Sequence, residues 1–292
     1  MSKQVVVIGV FDGVHIGHQD LVQRAREIAN QQNLPLVALT FHPHPMSVIR
    51  NKTVPLLSTL DQRIDSLRTL GADDVVVWEF TSERSKQSAD EFVETFLHQI
   101  LNARVVVIGE GFRFGYKANG TADTIRNHQI EVVEVVHIAR GGERVSSTRI
   151  RDLLNVGDMN QATELLGRDF AIEGVVVEGF QRGRELGYPT ANVKYESELA
   201  LPKDGVYAGH LSFDEVRLPA AISIGFNSTF DATMRTLEVH VLSDNWIDLY
   251  GKRVKVAFES YIRGMLTYSG PDTLIKAIES DVVSVKKALN LG

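Results

Sequence analysis

The chain has 292 residues, enough for one large core or two moderate ones, and the length favours two domains. Hydrophobic residues at 43% and charged ones at 23% are ordinary for a soluble globular protein, and the absence of cysteine excludes disulfides, thiolate metal sites and thiol nucleophiles. A formal net charge of −6 with no basic stretch argues against a nucleic-acid partner.

No apolar run approaches the ~18 residues that a membrane helix needs. Met1 to Gln4 leads straight into the first apolar segment, so no signal peptide is expected and a cytoplasmic location is the default. Val5 to Val10 is a short, β-branched apolar run, which predicts a buried strand of a parallel sheet. Gly9, Gly13 and Gly17 then punctuate a turn that bends sharply or lets a ligand approach. From Gln19 the spacing of Leu21, Ala25 and Ile28 is helical. Strand, glycine turn and helix together aim backbone N–H groups at an anion. His15 and His18 lie in this turn with Gly17 between them, where two imidazoles can donate hydrogen bonds to phosphate oxygens as charge develops.

Leu34 to Phe41 predicts a second buried strand, ending at His42-Pro43-His44-Pro45. The H-x-H spacing admits a metal site, but no third ligand is nearby, and two prolines stopping a strand at the rim of a nucleotide pocket account for it as well. Helical spacing follows over Ser58 to Leu70, with Gly71 as a C-terminal cap, then a strand over Val75 to Phe80. Ser88 to Glu91 is a capping box for a helix through Ile100. Arg104 to Gly109 and Val132 to Ile138 complete the strands of this half, and the alternation means a doubly wound parallel sheet.

Ligands in such sheets bind at the carboxyl ends of strands, so the loop Gly109 to Gly115 belongs with His15 and His18. Within it Arg113 could hold a phosphate or stack on Phe112 or Phe114. Ser146, Ser147 and Thr148 precede a short helix at Asp152 to Asn155, where three hydroxyls could simply cap. Arg149 and Arg151 beside them oppose the helix dipole unless an anion sits there, which favours a triphosphate-binding element.

From about Arg168 the rhythm changes to short β-like segments: Ala171 to Val177, Gly205 to Leu211, Ala220 to Ile224, Leu237 to Leu242 and Arg253 to Ile262. This predicts a small barrel. An amphipathic helix from Asp272, with Leu274, Ile278, Val282, Val285 and Leu289 on one face, should close the chain against it. The domain boundary is expected near Gly167, giving domains 1–167 and 168–292. In the second half, Gly183 and Gly187 flank Pro189-Thr190-Ala191-Asn192, which suits a loop over phosphates with Thr190 and Asn192 offering oxygens to Mg²⁺, or an ordinary turn. Glu238, read from alternation alone, is a solvent-facing strand carboxylate.

The strand–HxGH–helix signature resembles the HxGH nucleotidyltransferases, which implies attack on the α-phosphate of a nucleoside triphosphate with release of pyrophosphate. The lysine-rich loop of a tRNA synthetase of that group is absent. GVFDGVHIGH, FHPHP, GEGFRFG, VSSTRIRDLL and GRELGYPTAN, in this order, resemble the bacterial bifunctional riboflavin kinase/FMN adenylyltransferases, the FAD synthetases; PKDGVY and DLYGK match as well. The resemblance implies an α/β Rossmann-like nucleotidyltransferase domain, then a riboflavin kinase-like all-β barrel with a C-terminal helix. It implies that His15 and His18 assist adenylyl transfer. Gly9, Phe11, Asp12, Gly13, Gly17, Ser146, Ser147, Thr148 and Arg151 would bind one ATP, and Gly183 and Gly187 a second. Glu238 would be the kinase base, with Thr190 and Asn192 on Mg²⁺ and Arg113, Tyr250 and Arg263 on the flavin side.

Riboflavin, FMN, FAD and ATP are the partners this implies, with no nucleic acid, no membrane and at most a weak homo-oligomer. Departures fall at Gly111, where Asn or Asp is usual, and at Ser228, Ser243 and Gly264. They are more frequent in the second half, which leaves open an adenylyltransferase with a weakened kinase half, or a flavin-binding regulator without turnover. The five intact positions His15, His18, Thr190, Asn192 and Glu238 speak against the regulator.

Overall fold

Strand β1 (Gln4–Ile8) is apolar on both sides because both of its faces are covered. Val6 and Ile8 pack with Val37, Leu39, Val106 and Ile108 beneath Trp78, Phe92 and Leu97. Val5 and Val7 pack on the opposite face against Leu21, Val22, Ala25 and Leu67. The structure, a computed structural model, describes residues 3–178, 188–226, 235–243 and 247–291.

After β1 come α1 (Ile16–Gln32), β2 (Leu36–His42), α2 (Pro45–Arg50), α3 (Leu60–Thr69) and β3 (Asp74–Glu79). Helix α4 (Ala89–Phe92) continues as a π-helix over Val93–Ile100, and β4 (Ala103–Gly109), α5 (Ala122–Asn127) and β5 (Glu131–Val135) follow. Ser88 and Glu91 form the expected capping box reciprocally. Gly71 follows the end of α3 at φ +100°, a left-handed conformation that glycine adopts without strain. The sheet is parallel in the order β3-β2-β1-β4-β5. The chain works outward from β1 to β3, then returns to the other side of β1 with β4. That reversal opens a crevice at the carboxyl ends of β1 and β4.

A hairpin, β6 (Ala139–Arg140) and β7 (Glu143–Arg144), turns through Gly141 and Gly142, and α6 (Ser147–Val156) and α7 (Met159–Leu166) follow. Helix α6 thus begins five residues before the expected Asp152, because the hydroxyl-rich segment is itself helical from Ser147. Likewise the strand expected to reach Ile138 pairs with β4 only as far as Val135.

The compact units are Met1–Ser147 and Thr148–Gly292. In the second, β8 (Phe170–Val177), β9 (Ala191–Tyr195), β10 (Gly205–Phe213), β11 (Val216–Phe226), β12 (Arg235–Val241) and β13 (Arg253–Arg263) close a barrel in the order β10-β11-β12-β9-β8-β13. All of its pairings are antiparallel. Strand β9 was not expected, since it hides in the Thr-x-Asn motif. Ile222, Ile224, Leu237, Val239, Val254, Val256 and Phe258 are buried, and the residues alternating with them face outward. Helix α7 packs on β8 and β13, and α8 (Pro271–Ala288) packs on β10, β11 and β13 with Val285 buried.

Closing so small a barrel brings strands together closely at Gly209, where a Cβ would lie 2.0 Å from the Ala257 carbonyl oxygen. Gly209→Ala is therefore expected to destabilise the barrel by about 3 kcal/mol through overpacking against backbone that cannot yield. A fall in its melting temperature, accompanied by loss of any activity housed in the barrel, checks this.

Candidate active sites

The chain leaves β1 through an unusual turn. Phe11 (φ 54°) and Val14 (φ 41°) adopt left-handed conformations that side-chain-bearing residues avoid, and Gly13 (φ 75°) lies between them. Each such residue costs about 1–3 kcal/mol and persists only when its surroundings over-determine it. Here they do. The buried Thr40 hydroxyl donates to the Val10 carbonyl (2.9 Å), the Leu57 N–H donates to Asp12 Oδ1 (2.9 Å), and the Gly13 N–H donates to Ser58 Oγ (3.1 Å). Ser147, at the start of α6, donates its hydroxyl to the Asp12 carbonyl at 2.9 Å.

That turn delivers His15 as the N-cap of α1, its Nδ1 accepting from the His18 N–H at 3.3 Å. The two imidazoles stack, with centroids 3.6 Å apart and planes 14° from parallel, and the Phe11 ring meets His18 edge-on. Burial holds the His18 pKa well below the ordinary histidine value, and His15, Arg63, Arg144 and His137 push it the same way. His18 is thus a neutral imidazole whose Nδ1 is buried without a partner among the described residues. Gly17 keeps the helix start clear: a Cβ there would sit 3.3 Å from the His15 ring.

From β4 the loop Gly109 to Gly115 faces the same crevice end of the sheet. His137 donates from Nε2 to the Glu110 carbonyl at 2.7 Å and lies where a Cβ on Gly109 would be, 2.8 Å away. Phe112 and Phe114 stack on each other (5.8 Å, 19°), while Arg113 is exposed and makes no hydrogen bond or ring contact with the described residues. Gly111 (φ 69°) has open space where a side chain would project. Arg144, at the end of β7, bears electrostatically on both His18 and His137, and sequence reasoning missed it. Its signal was the Gly141-Gly142 turn, which folds the chain back just before the hydroxyl cluster. Thr148 and Arg151 continue α6 from Ser147.

The H-x-H pair lies at the end of β2 and the start of α2. His44 caps α2, its Nδ1 accepting from the Met46 N–H at 3.2 Å, and no cluster of three His, Asp or Glu able to hold a metal occurs among the described residues.

In the barrel, register assembles the second group. Asn192 lies opposite Glu238 on β12 and opposite Val177 on β8, while Glu238 lies opposite Ser223 on β11. Directly opposed residues share a face with Cβ atoms about 5 Å apart. Glu238 is half-buried, and burial raises its carboxyl above the ordinary range. Thr190 directly precedes β9, and the residue beside it is anchored: His240, two along from Glu238, donates from Nδ1 to the Pro189 carbonyl at 2.9 Å. Tyr188 meets the His240 ring edge-on and reaches Glu279 of α8.

Arg235 at the start of β12 holds Asp204 (2.6 Å) and the Leu201 and Pro202 carbonyls, tying the Pro202–Tyr207 segment to the Glu238 strand. Arg263 pairs both oxygens of Asp281 on α8 at 2.6 Å and donates to the Tyr268 hydroxyl at 2.8 Å. Tyr250 is 40% exposed. Gly183, Gly187 and Ser228 lie outside the described residues.

The uncharged oxygens of Thr190 and Asn192 beside a carboxylate are a donor set suited to Mg²⁺, which takes few protein ligands and completes its shell with water and phosphate. One unit therefore carries a helix start with a neutral imidazole at His18, and the other a set of hard oxygens beside a carboxyl of raised pKa. That pairing defines a two-centre, phosphate-transferring enzyme.

Comparison with known proteins agrees. The model of the FAD synthetase family matches residues 1–149, and that of riboflavin kinase matches 166–289. The bifunctional riboflavin kinase/FMN adenylyltransferase of Listeria monocytogenes is 34% identical, covering 96% of this chain and 90% of that protein. The Escherichia coli protein so named is 32% identical over 98% and 93%. A crystal structure described as a macrolide-efflux protein from Streptococcus pneumoniae shares the fold at TM-score 0.89 and 32% identity, over 98% of this chain and 94% of that one. In the present chain no helix among the described residues is long and apolar enough to cross a membrane. The chain belongs to the bifunctional riboflavin kinase/FMN adenylyltransferase family. It is an ATP-dependent enzyme of flavin cofactor synthesis, and since both halves match their own family model, the bifunctional reading holds over an adenylyltransferase alone.

Because folding keeps His18 neutral while the unfolded chain protonates it at the ordinary value, its contribution to stability is present above about pH 6.5 and is lost as pH falls below it. The melting temperature of the first unit is expected to drop between about pH 7.5 and about pH 5.5. Calorimetry should show a smaller drop in His18→Gln.

Proposed function

We propose that the two activities divide between the units, with a functional boundary at Gly167 to Arg168 and a distinct donor cluster for each ATP. In the barrel, the riboflavin 5′-hydroxyl oxygen attacks the γ-phosphorus of ATP. A new O–P bond forms, the bond to the ADP oxygen breaks, and Glu238 takes the hydroxyl proton. A carboxylate whose pKa is raised by burial is the stronger base. Thr190 and Asn192 would hold Mg²⁺, which would neutralise charge on the phosphates. Gly183 and Gly187 border the phosphate loop, Tyr250 lies on the flavin side, and Arg263 contributes there by fixing the end of β13 against α8.

In the α/β unit, a phosphate oxygen of FMN attacks the α-phosphorus of a second ATP and pyrophosphate leaves. No proton is transferred, so positioning and charge stabilisation supply the catalysis. His15 and His18 donate to the α-phosphate oxygens as charge grows. Backbone from Gly9 through Gly17, including Phe11, Asp12 and Gly13, lines the nucleotide. Ser146 and Ser147 clasp the departing phosphates together with Arg144, and Arg113 meets the FMN phosphate. The reading includes a cytoplasmic location, no nucleic-acid or membrane partner, and at most weak self-association.

The Glu238–Asn192 register beside Thr190 carries this reading most directly, because it sets a high-pKa carboxylate next to the cation donors. Protein supplied with riboflavin, Mg²⁺ and ATP should yield FMN and then FAD by chromatography. His18→Ala should stop FAD formation while FMN accumulates. Glu238→Ala should lower FMN formation at least about 100-fold and leave FAD formation from supplied FMN intact. Either folded variant silencing both steps would refute the division. The acid limb of the kinase rate should also lie above the ordinary carboxylate range, since activity falls as pH drops through the raised Glu238 pKa.

A further inference from the structure

Arg63 is the largest fully buried side chain among the described residues, 1% exposed, and no catalytic step accounts for its charge. It sits on α3, whose first turn is fixed by the Thr59–Gln62 capping box. Its Nη1 donates to the Phe41 carbonyl at 3.1 Å and to Thr40 Oγ1 at 3.4 Å. The Thr40 hydroxyl in turn donates to the Val10 carbonyl, so the guanidinium reaches the His15–His18 turn through one intermediate. On the other side Asp12, itself 1% exposed, offsets the Arg63 charge. Nε is buried without a partner among the described residues.

A guanidinium taken out of water costs several kcal/mol, and apolar residues of similar volume often serve stability as well or better. Packing alone therefore does not account for a charged group at this position. Arg63 bears on the turn in two ways: through hydrogen bonds to Phe41 and Thr40 at the carboxyl end of β2, and through electrostatic attraction to Asp12 of the turn itself. Its charge also bears electrostatically on His18 of that turn.

We propose that Arg63 is a positioning residue of adenylyl transfer, pinning the His15–His18 turn to the end of β2 and setting a permanent positive charge under the phosphate-binding surface. The inference rests on adenylyl transfer taking place at that turn. The charged and titratable groups facing His18 are His15, Arg63, Arg144 and His137. Protonating His18 would set a cation against its stacked partner and against Arg63 and Arg144, which opens the turn. Removing the Arg63 charge relieves part of that opposition, so His18 would protonate at higher pH.

Two variants separate charge from geometry. Arg63→Met fills the volume without the charge; Arg63→Lys keeps the charge, but its ammonium does not take the place of the Nη1 that donates to both Phe41 and Thr40. Arg63→Met should lower kcat for FMN adenylylation by about tenfold to about 100-fold, the scale of a displacement near 1 Å. Its acid limb should move to higher pH, while riboflavin phosphorylation by the same preparation stays at the wild-type rate. Arg63→Lys should lose rate with its acid limb unmoved. A wild-type rate in folded Arg63→Met, or an acid limb that stays in place in it, overturns the proposal. Full FAD formation in His18→Ala would instead overturn the reading of the turn on which it rests.

Discussion

The His15 and His18 rings stack at 3.6 Å, and the architecture around them keeps His18 uncharged. Burial contributes most, and the nearby Arg63 and Arg144 add to it. The same cations that deny His18 a proton welcome an anion. On the proposed reading, a site that disfavours protons suits adenylyl transfer, which moves no proton but gathers negative charge around phosphorus. Everything else in the first unit serves the location of that pair. The buried strand β1 points it at the switch point of the sheet, and the left-handed residues Phe11 and Val14 lift the chain over the strand end. Thr40, Leu57 and Ser58 hold the lifted chain in place.

The barrel solves a different problem with different means. On the proposed reading the base and the cation donors lie on neighbouring strands, and antiparallel register sets Asn192 opposite Glu238. Closure of the barrel removes free edges, so that register cannot slip by one residue without turning every core side chain outward. Half-burial then raises the Glu238 carboxyl, making one strand residue a stronger base than an exposed carboxylate would be. The supports around it come from afar in sequence: His240 holds Pro189, Tyr188 reaches Glu279, and Arg235 draws in the segment that begins β10. Arg263, expected beside the flavin, spends its guanidinium on Asp281 and thereby ties α8 to the barrel.

Much of this was legible beforehand because it is local. Apolar runs of β-branched residues marked the strands of the parallel sheet, the Ser88–Glu91 spacing marked a helix start, and the change of rhythm after Arg168 marked the barrel. Each depends on residues within a few positions of one another. Strand β9 escaped notice because Thr190 and Asn192 read as a turn; only pairing with β8 and β12 makes that segment extended. Arg144 escaped because an exposed arginine after a glycine pair carries no pattern of its own, and Arg63 because an arginine on an amphipathic helix reads as surface.

By itself the sequence determined the class of each half, the order of the motifs and the identity of the chemically capable residues, since these follow from composition and short-range spacing. Only the tertiary structure decided which of them are neutral, which are buried and which face one another. Those properties arise from contacts between segments such as α3 and the β1–α1 turn, or β9 and β12, that lie about 40 residues or more apart along the chain. No local pattern encodes the low dielectric that keeps His18 unprotonated or the burial that raises Glu238, because both depend on what the rest of the fold excludes: water.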